Sequence, residues 1–382
     1  MSRLPKTGIV TRTKNRPVLL KRAIESVLFQ SYRNWVMVIV NDGGEPSDVD
    51  RLVESYSSEA AGRIRVVHNV RSMGMEVASK IGLDSIDSDL LIVHDDDDSW
   101  APEFLAVTIP ELIRQQEKFP SVQGVTTYCN RVMEQVRGNL IQIDSVELFN
   151  GWVPSGFLSL DRMLAGNFLP PISFLFTRQA YAALGGIYER IPYLGDWDFL
   201  IRFLSKFDVV MIPQYLAFYH WRAPTVAGSL GNTVTDELDQ HVFYRQLLLN
   251  QWLRDDLAAQ SFGIGVYANL RHQLDVILHE SRNRASPVPA PGLAVGTPLP
   301  EGPETAILPQ TLVDYYWDSR SYRYTRSFRN LWNRLRGRRA EERPRVANFR
   351  EAWGVARALQ GSVSWTVTAP LRWFGRLFRR TH

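Results

Sequence analysis

Between residues 7 and 98 short apolar runs alternate with stretches whose apolar positions recur at helical spacing, the pattern of βαβ units and a mostly parallel sheet. Strands are predicted over residues 8–11, 35–41, 63–68 and 90–94. Between the first two, residues 17–30 place Leu20, Ile24, Val27 and Leu28 on one side of a helix. Further helices are predicted over 75–83 and 102–119, and residues 122–136 read as more strand. Residues 150–195 are rich in Gly, Pro and aromatics, which suits irregular loops over a pocket. Helical patterns return over 236–280, where Leu247, Leu248, Leu249 and Leu253 are followed by Leu274, Ile277 and Leu278.

Three of the strands run into polar residues, at 12–15, 41–44 and 95–98. In open α/β sheets ligands bind outside the carboxyl ends of the strands, so these loops are where chemistry is expected. The stretch LIVHDDDDSW, residues 91–100, is the most pointed, because four adjacent carboxylates repel unless a cation is supplied. Mg²⁺ or Mn²⁺, which take one or two carboxylates and complete their shell with water and phosphate oxygens, would suit Asp95 with Asp97, or Asp97 with Asp98. An acidic surface turn is the plainer reading. In VNDGG, residues 40–44, Asp42 can accept hydrogen bonds from a base or ribose, although Asp-Gly is also a common turn. In IPYLGDWDFLIRF, Asp196 and Asp198 open a helical pattern, as caps or as a general base toward a hydroxyl. His220, within FYHWR, has either a structural place among aromatics or a ligand's role.

Composition sharpens this picture. The chain has 382 residues, 45% of them hydrophobic, enough for a sizeable core. Cys129 is the only cysteine, which excludes an intrachain disulfide and a Cys-based zinc site and fits a reducing compartment. The first residues lack the apolar stretch of a signal peptide, and no run approaches the roughly 20 apolar residues of a membrane-spanning helix, so a soluble or surface-bound protein is expected. Charge is uneven: residues 311–382 hold 16 Arg, no Lys and 5 acids, a net +11, against −7 for the rest. Residues 286–310, dense in Pro and Gly, read as a linker. The expected organisation is a domain over 1–225, a helical extension packed on it over 226–285, that linker, and a basic amphipathic tail over 311–382.

TRTKNRPVLLKRAIESVLFQSYRNWVMVIVNDGG resembles the opening of the family 2 glycosyltransferases, inverting enzymes with the GT-A fold, a Rossmann-like α/β architecture. HNVRSMGMEVASKIGLDSIDSDLLIVHDDDDSWAPEFL is similar to that family's next segment, which ends in a DxD metal motif followed by Trp and Pro. NFLPPISFLFTRQAYAALGGIYERIPYLGDWDFLIRF resembles its acceptor half, and the likeness spans about residues 7–222. The resemblance implies a nucleotide-diphosphate sugar donor, a glycan acceptor that can be lipid-linked, and Mn²⁺ or Mg²⁺. It sets Arg12, Lys14 and Asp42 at the base and ribose, Arg71 at the diphosphate, and Asp95 and Asp96 along the donor. Asp95 and Asp97 match the DxD acids, with His220 as a late metal or diphosphate ligand. Asp196 matches the catalytic base, with Asp198 as fallback, and the acceptor wall would use Trp152, Phe157, Trp197 and Trp221. Two positions depart from the pattern: Gly195 stands where an acid commonly precedes the base, and Ser79-Lys80 where Arg-Asn is usual.

The rival classes are a sugar-phosphate nucleotidyltransferase, which would want glycines in TRTKNRP, and a degenerate glycan-binding module, toward which Gly195 points. A retaining mechanism is a third. In the tail, RSFRNLWNRLRGRR and APLRWFGRLFRR interleave Arg with Trp, Phe and Leu, as interfacial helices on anionic membranes do. No nucleic-acid motif accompanies the charge, so the expected partner is an anionic membrane, with the protein cytoplasmic and peripheral at the inner face of the cell membrane. Deleting residues 311–382 is expected to move the protein from the membrane to the soluble fraction, and unchanged fractionation would refute the tail's role.

Overall fold

The four predicted strands form as β1 (Thr7–Thr13), β2 (Trp35–Asp42), β3 (Ile64–Asn69) and β4 (Leu90–Val93), lying in parallel in the order β3-β2-β1-β4. Each of β1 and β2 has a single residue short of full burial, which is why they read as continuous apolar runs rather than alternations. Past β4 the sheet turns antiparallel. β9 (Phe174–Thr177) pairs with β4 on one side and β6 (Val122–Arg137) on the other, and β10 (Asp208–Arg222) lies beyond β6. The short strands β5 (Ser99–Trp100) and β8 (Gly156–Phe157) pair with β10, and β7 (Leu140–Leu148) pairs with β6. The sheet is therefore mixed: parallel where βαβ periodicity was legible, antiparallel where long strands return through irregular chain.

The structure is a computed structural model describing residues 4–137, 140–189, 191–222 and 238–285, with position 355. They divide into two compact units, residues 1–131 with 147–303, and residues 132–146 with 304–382. In the second, the described residues apart from position 355 are paired stretches of β6 and β7, tied by a hydrogen bond from Gln135 Nε2 to Asp144 Oδ2 of 2.9 Å. The linker at 286–310 and the basic tail at 311–382 lie, but for position 355, outside the described residues.

The helices of the first unit are α1 (Pro17–Leu28), α2 (Pro46–Glu54), α3 (Ser57–Ala60), α4 (Met75–Ser85), α5 (Phe104–Lys118), α6 (Leu160–Ala165), α7 (Arg178–Ala183), α8 (Gly195–Leu204), α9 (Leu238–Ala258) and α10 (Ile264–Ala285). Pro17 starts α1, where its missing N–H leaves no bond unmade. The predicted apolar face of α1 is buried, but a second buried stripe is polar: Arg22, Ser26 and, just past the helix, Gln30, at spacings of four. These hold the chain that follows β4. Ser26 Oγ meets His94 Nε2 at 2.9 Å, while Gln30 donates to the Ala101 carbonyl at 2.8 Å and accepts from the Leu105 N–H at 3.0 Å.

The apolar core beneath the antiparallel half gathers Phe174, Phe176, Trp197, Phe199 and Phe203 with Leu248, Leu249 and Trp252 of α9 and Ala268 of α10. No described helix is long and apolar enough to cross a membrane. On the parallel half α4 lies close over β1 because residue 82 is glycine: a Cβ there would stand 2.3 Å from Val10 Cγ1 and 3.2 Å from Val40 Cγ2. Both valines are fully buried and cannot swing away. Gly82→Ala is accordingly expected to destabilise the protein by about 1–3 kcal/mol, as for overpacked cores, measured as a lowered urea midpoint.

Candidate active site

The acidic run folds as a tight turn directly after β4, with the Asp98 N–H donating to the Asp95 carbonyl at 3.2 Å. Asp96, Asp97 and Asp98 are only 4%, 8% and 1% exposed, so the loop is an interior feature and not a solvated surface turn. Buried carboxylates need partners, and each finds its own. Asp95 pairs with Arg12 Nε at 2.9 Å. Asp96 accepts from Thr13 Oγ1 at 2.7 Å and from Arg16 Nη1 at 3.4 Å. Asp97 pairs with Arg222 of β10, and Arg16 approaches it at 3.6 Å. Arg22 of α1 donates to the Asp97 carbonyl. Asp98 accepts the backbone N–H of His220 at 2.9 Å.

The environments push these acids apart. Burial alone would raise Asp97, but Arg222, Arg16 and Arg22 outweigh it and hold the carboxyl below its usual range. Burial and then Asp97 drive Asp98 well above the carboxylate range, and burial pushes Asp96 up to about 6 against the pull of Arg16. The arginines and backbone donors around the loop are what let four adjacent aspartates coexist there.

Arg12, at the end of β1, is the second organising group. Its Nη1 donates to Ser79 Oγ at 2.8 Å and to the Met75 carbonyl at 3.3 Å, so α4 holds one end of the guanidinium and Asp95 the other. Burial opposes its charge, yet Asp95, Glu76, Asp196 and Asp97 together hold it more firmly protonated than an ordinary arginine. Asp95 from the loop after β4 thus pairs with Arg12, while Glu76 of α4 and Asp196 of α8 line a pocket with it.

The cleft at these strand ends has a volume of about 490 Å³, and Arg12, Lys14, Asp42, Asp95, Asp96 and Asp97 all line it. Lys14 is exposed at its mouth, and Arg71 is exposed on the loop leaving β3. Asp42 is occupied within the chain: it accepts from Asn69 Nδ2 (2.8 Å), Ser72 Oγ (2.7 Å) and the N–H groups of Met73 (2.8 Å) and Gly74 (3.0 Å). Four donors fill a carboxylate's acceptor sites, so it shapes the loop that borders the cleft rather than offering itself to a base or ribose. Burial would raise its pKa, but these four bonds prevail and lower it.

On the facing wall α8 separates the two acids that sequence reading left as alternatives. Asp196 lines a pocket shared with Arg12, Glu76 and Ser79, its Oδ2 accepting from Asn167 Nδ2 at 2.9 Å and its Oδ1 from the Trp197 N–H at 2.8 Å. Asp198, two residues on, points inward, ion-paired with Arg202 at 2.8 Å and bonded by Trp252 Nε1 at 3.3 Å. Trp197 does not face an acceptor: it is 1% exposed, its indole N–H bonded to the Met163 carbonyl, its ring against Trp252. Trp152 is 58% exposed and edge-on to Phe168, and Phe157 is 50% exposed. Trp221 packs among Phe149, Tyr219 and Arg131. His220 is buried with Nε2 2.9 Å from Ser99 Oγ, and it buttresses the acidic turn through its backbone N–H.

Among the described residues no cluster of three or more His, Cys, Asp or Glu forms a ready-made metal cage. Asp95 and Asp97 nonetheless fit a hard divalent ion of the kind that takes one or two protein carboxylates and fills its shell from phosphate and water. Sequence reasoning missed Arg16, Arg22, Arg222, Glu76 and Asn167. The demand for countercharge was legible in the four aspartates, but nothing local said which arginines meet it.

Comparison with known proteins adds the following. Residues 8–153 match the model of Glycosyl transferase family 2. An uncharacterized glycosyltransferase of Haemophilus influenzae is 22% identical over 233 residues, 59% of this chain and 72% of that protein. A protein named for glycosyl transfer in colanic acid biosynthesis, WcaA of Escherichia coli K12, is 33% identical over 107 residues, 28% of this chain and 38% of its own length. Among solved structures, S. aureus TarS 1-349 superposes with a TM-score of 0.51 at 14% identity, covering 94% of this chain and 92% of its own; it has also been solved with UDP-GlcNAc, at 13% identity and the same TM-score. That likeness shows the GT-A fold.

Arg222→Ala leaves Asp97 buried without its foremost partner, and such losses cost about 3–5 kcal/mol. A fall of that size in urea-denaturation stability is expected, whereas an unchanged midpoint would show that Arg16 and Arg22 suffice.

Proposed function

With a family 2 glycosyltransferase domain over residues 8–153 as the premise, we propose that this chain is an inverting, metal-assisted enzyme moving a sugar from a nucleoside diphosphate to a hydroxyl of a glycan acceptor. The observation that carries this reading is that Arg12, ion-paired with Asp95, lines both the cleft holding Asp95 and the pocket lined by Asp196, so a donor-side and a base-side carboxylate border one cationic group. The nucleotide-sugar class is supported by the TarS structure solved with UDP-GlcNAc, and a glycan acceptor by the relative named for colanic acid biosynthesis.

On this reading the base and ribose lie along the β1 and β2 ends, where the loop around Asp42 and the exposed Lys14 border the cleft. The diphosphate comes to rest near Asp95 and Asp97, with Arg12 and Arg16 at hand. A divalent cation held by Asp95 and Asp97 would supply Lewis-acid relief of the charge that gathers on the departing diphosphate. Asp196, fixed by Asn167 and the Trp197 N–H, accepts the proton of the acceptor hydroxyl as that oxygen attacks the anomeric carbon. Attack in line with the leaving group inverts the anomeric configuration. Exposed Trp152 offers an apolar face to an acceptor sugar ring. The setting we infer is the cytoplasm, at the inner face of the membrane, where the basic tail meets anionic lipid and the acceptor is lipid-linked.

Asp196→Asn is expected to lower turnover by roughly 10²- to 10⁴-fold, the worth of a general base, while the rise in Tm given by UDP with Mn²⁺ is kept. Ordinary turnover in that variant would move the base elsewhere. Absence of any nucleotide-induced Tm shift in the unaltered protein would favour a degenerate module.

A further inference from the structure

Glu76 has no part in the reaction as described, yet it stands at its centre. It lies on the first turn of α4, 5% exposed, and lines with Arg12, Ser79 and Asp196 the polar end of a pocket otherwise walled by apolar side chains. A carboxylate is strongly disfavoured there without compensation. Burial pushes its pKa up to about 8; Arg12 and the backbone N–H of Gly195 pull the other way, while Asp196 and Asp95 add to the rise.

Gly195, the first residue of α8, is glycine for want of space. Its φ is outside the left-handed region, so dihedral freedom is not the reason, but a Cβ built on it would stand 2.5 Å from Glu76 Cδ, 2.7 Å from Cγ and 2.8 Å from Oε2. The vector on which a side chain at 195 would leave the backbone ends in the Glu76 carboxylate. The next residue in the chain is Asp196.

We propose that Glu76 is a positioning residue that occupies, from α4, the space a side chain at position 195 would otherwise take, and so fixes the start of α8 and the direction of Asp196. This rests on the transferase reading, because it concerns the base which that reading assigns. Packed against the Gly195 backbone, Glu76 sets where α8 begins and so where Asp196 points.

The test is a cycle of four full-length proteins, the unaltered chain, E76A, G195D and E76A/G195D, with E76Q as a fifth that keeps shape without charge. E76A is expected to lose about 100-fold in kcat, the effect of a misplaced reacting group, with little change in KM for the sugar nucleotide, whereas E76Q, which fills the same space, should restore kcat to near that of the unaltered chain. E76Q should keep the Tm of the unaltered chain. G195D alone should lower both kcat and Tm, since two carboxylates then claim one place. The double variant, whose aspartate enters the vacated space from the other backbone, should recover at least roughly tenfold in kcat over either single variant and show non-additive Tm changes. Full activity in E76A, an E76Q as impaired as E76A, an unimpaired G195D, or a double variant no better than the poorer single one would each overturn the proposal. If the unaltered chain turns over no donor, it is the transferase reading that fails, and additive Tm changes across the cycle would then overturn the pairing of Glu76 with residue 195 as well.

Discussion

Charge buried at the end of β4 must be neutralised where it lies, and much of the first unit is arranged around that requirement. Asp95, Asp96 and Asp97 are met by Arg12 from β1, Arg16 just before α1, and Arg222 from β10, while Arg22 of α1 takes the backbone of the same turn. Three of these arginines lie between the end of β1 and the middle of α1 and the fourth on β10, so folding the acidic loop correctly requires the parallel half, the first helix and the last strand of the sheet to be in place together. Such ion pairs add little net stability over an apolar core, but breaking one is expensive. Their contribution is to specify one arrangement.

The same loop is held from the other side by hydrogen bonds that cost no charge. The stripe formed by Arg22, Ser26 and Gln30 runs down α1 against His94, Asp97 and Ala101, so one helix face grips the chain on both sides of the turn. Around Asp42 a comparable device works in miniature, four donors gathered on one carboxylate to shape residues 69–74. Preorganisation of this kind lets a site bind a charged ligand without first rearranging its own polar groups.

What the sequence disclosed and what it withheld follow a physical division. Strands β1 to β4, helix α1 and the acidic loop are local patterns, visible in a window of a dozen residues. The continuation of the sheet through β9, β6 and β10 is not local, since antiparallel neighbours there are set by returns of fifty residues and more. The cations for the aspartates divide likewise: Arg12 lay in plain view within TRTKNRP, whereas Arg222 is 125 residues from Asp97 in the chain. Trp197 and Asp198 were misjudged for want of helical phase. Asp198 and Arg202 sit four apart as an ion pair, and Leu200, Ile201 and Phe203 mark that side as inward, which leaves Asp196 to face out. Asp42 was expected at a base or ribose; it lines the cleft, but its partners Asn69, Ser72 and Gly74 could not be counted from VNDGG alone.

Gly82 gives the interior of the sheet a say in the chemistry. The helix that rests on Val10 through this glycine also carries Ser79 and Met75, which grip Arg12 at the end of the same strand. α4 is thus a rigid spacer between a packed layer and a reactive one, and the room left by a single absent methyl group sets the tolerance of both. Small changes of volume deep under the helix would be felt as altered alignment at the strand ends, a distance that no side chain spans but that a stiff helix transmits.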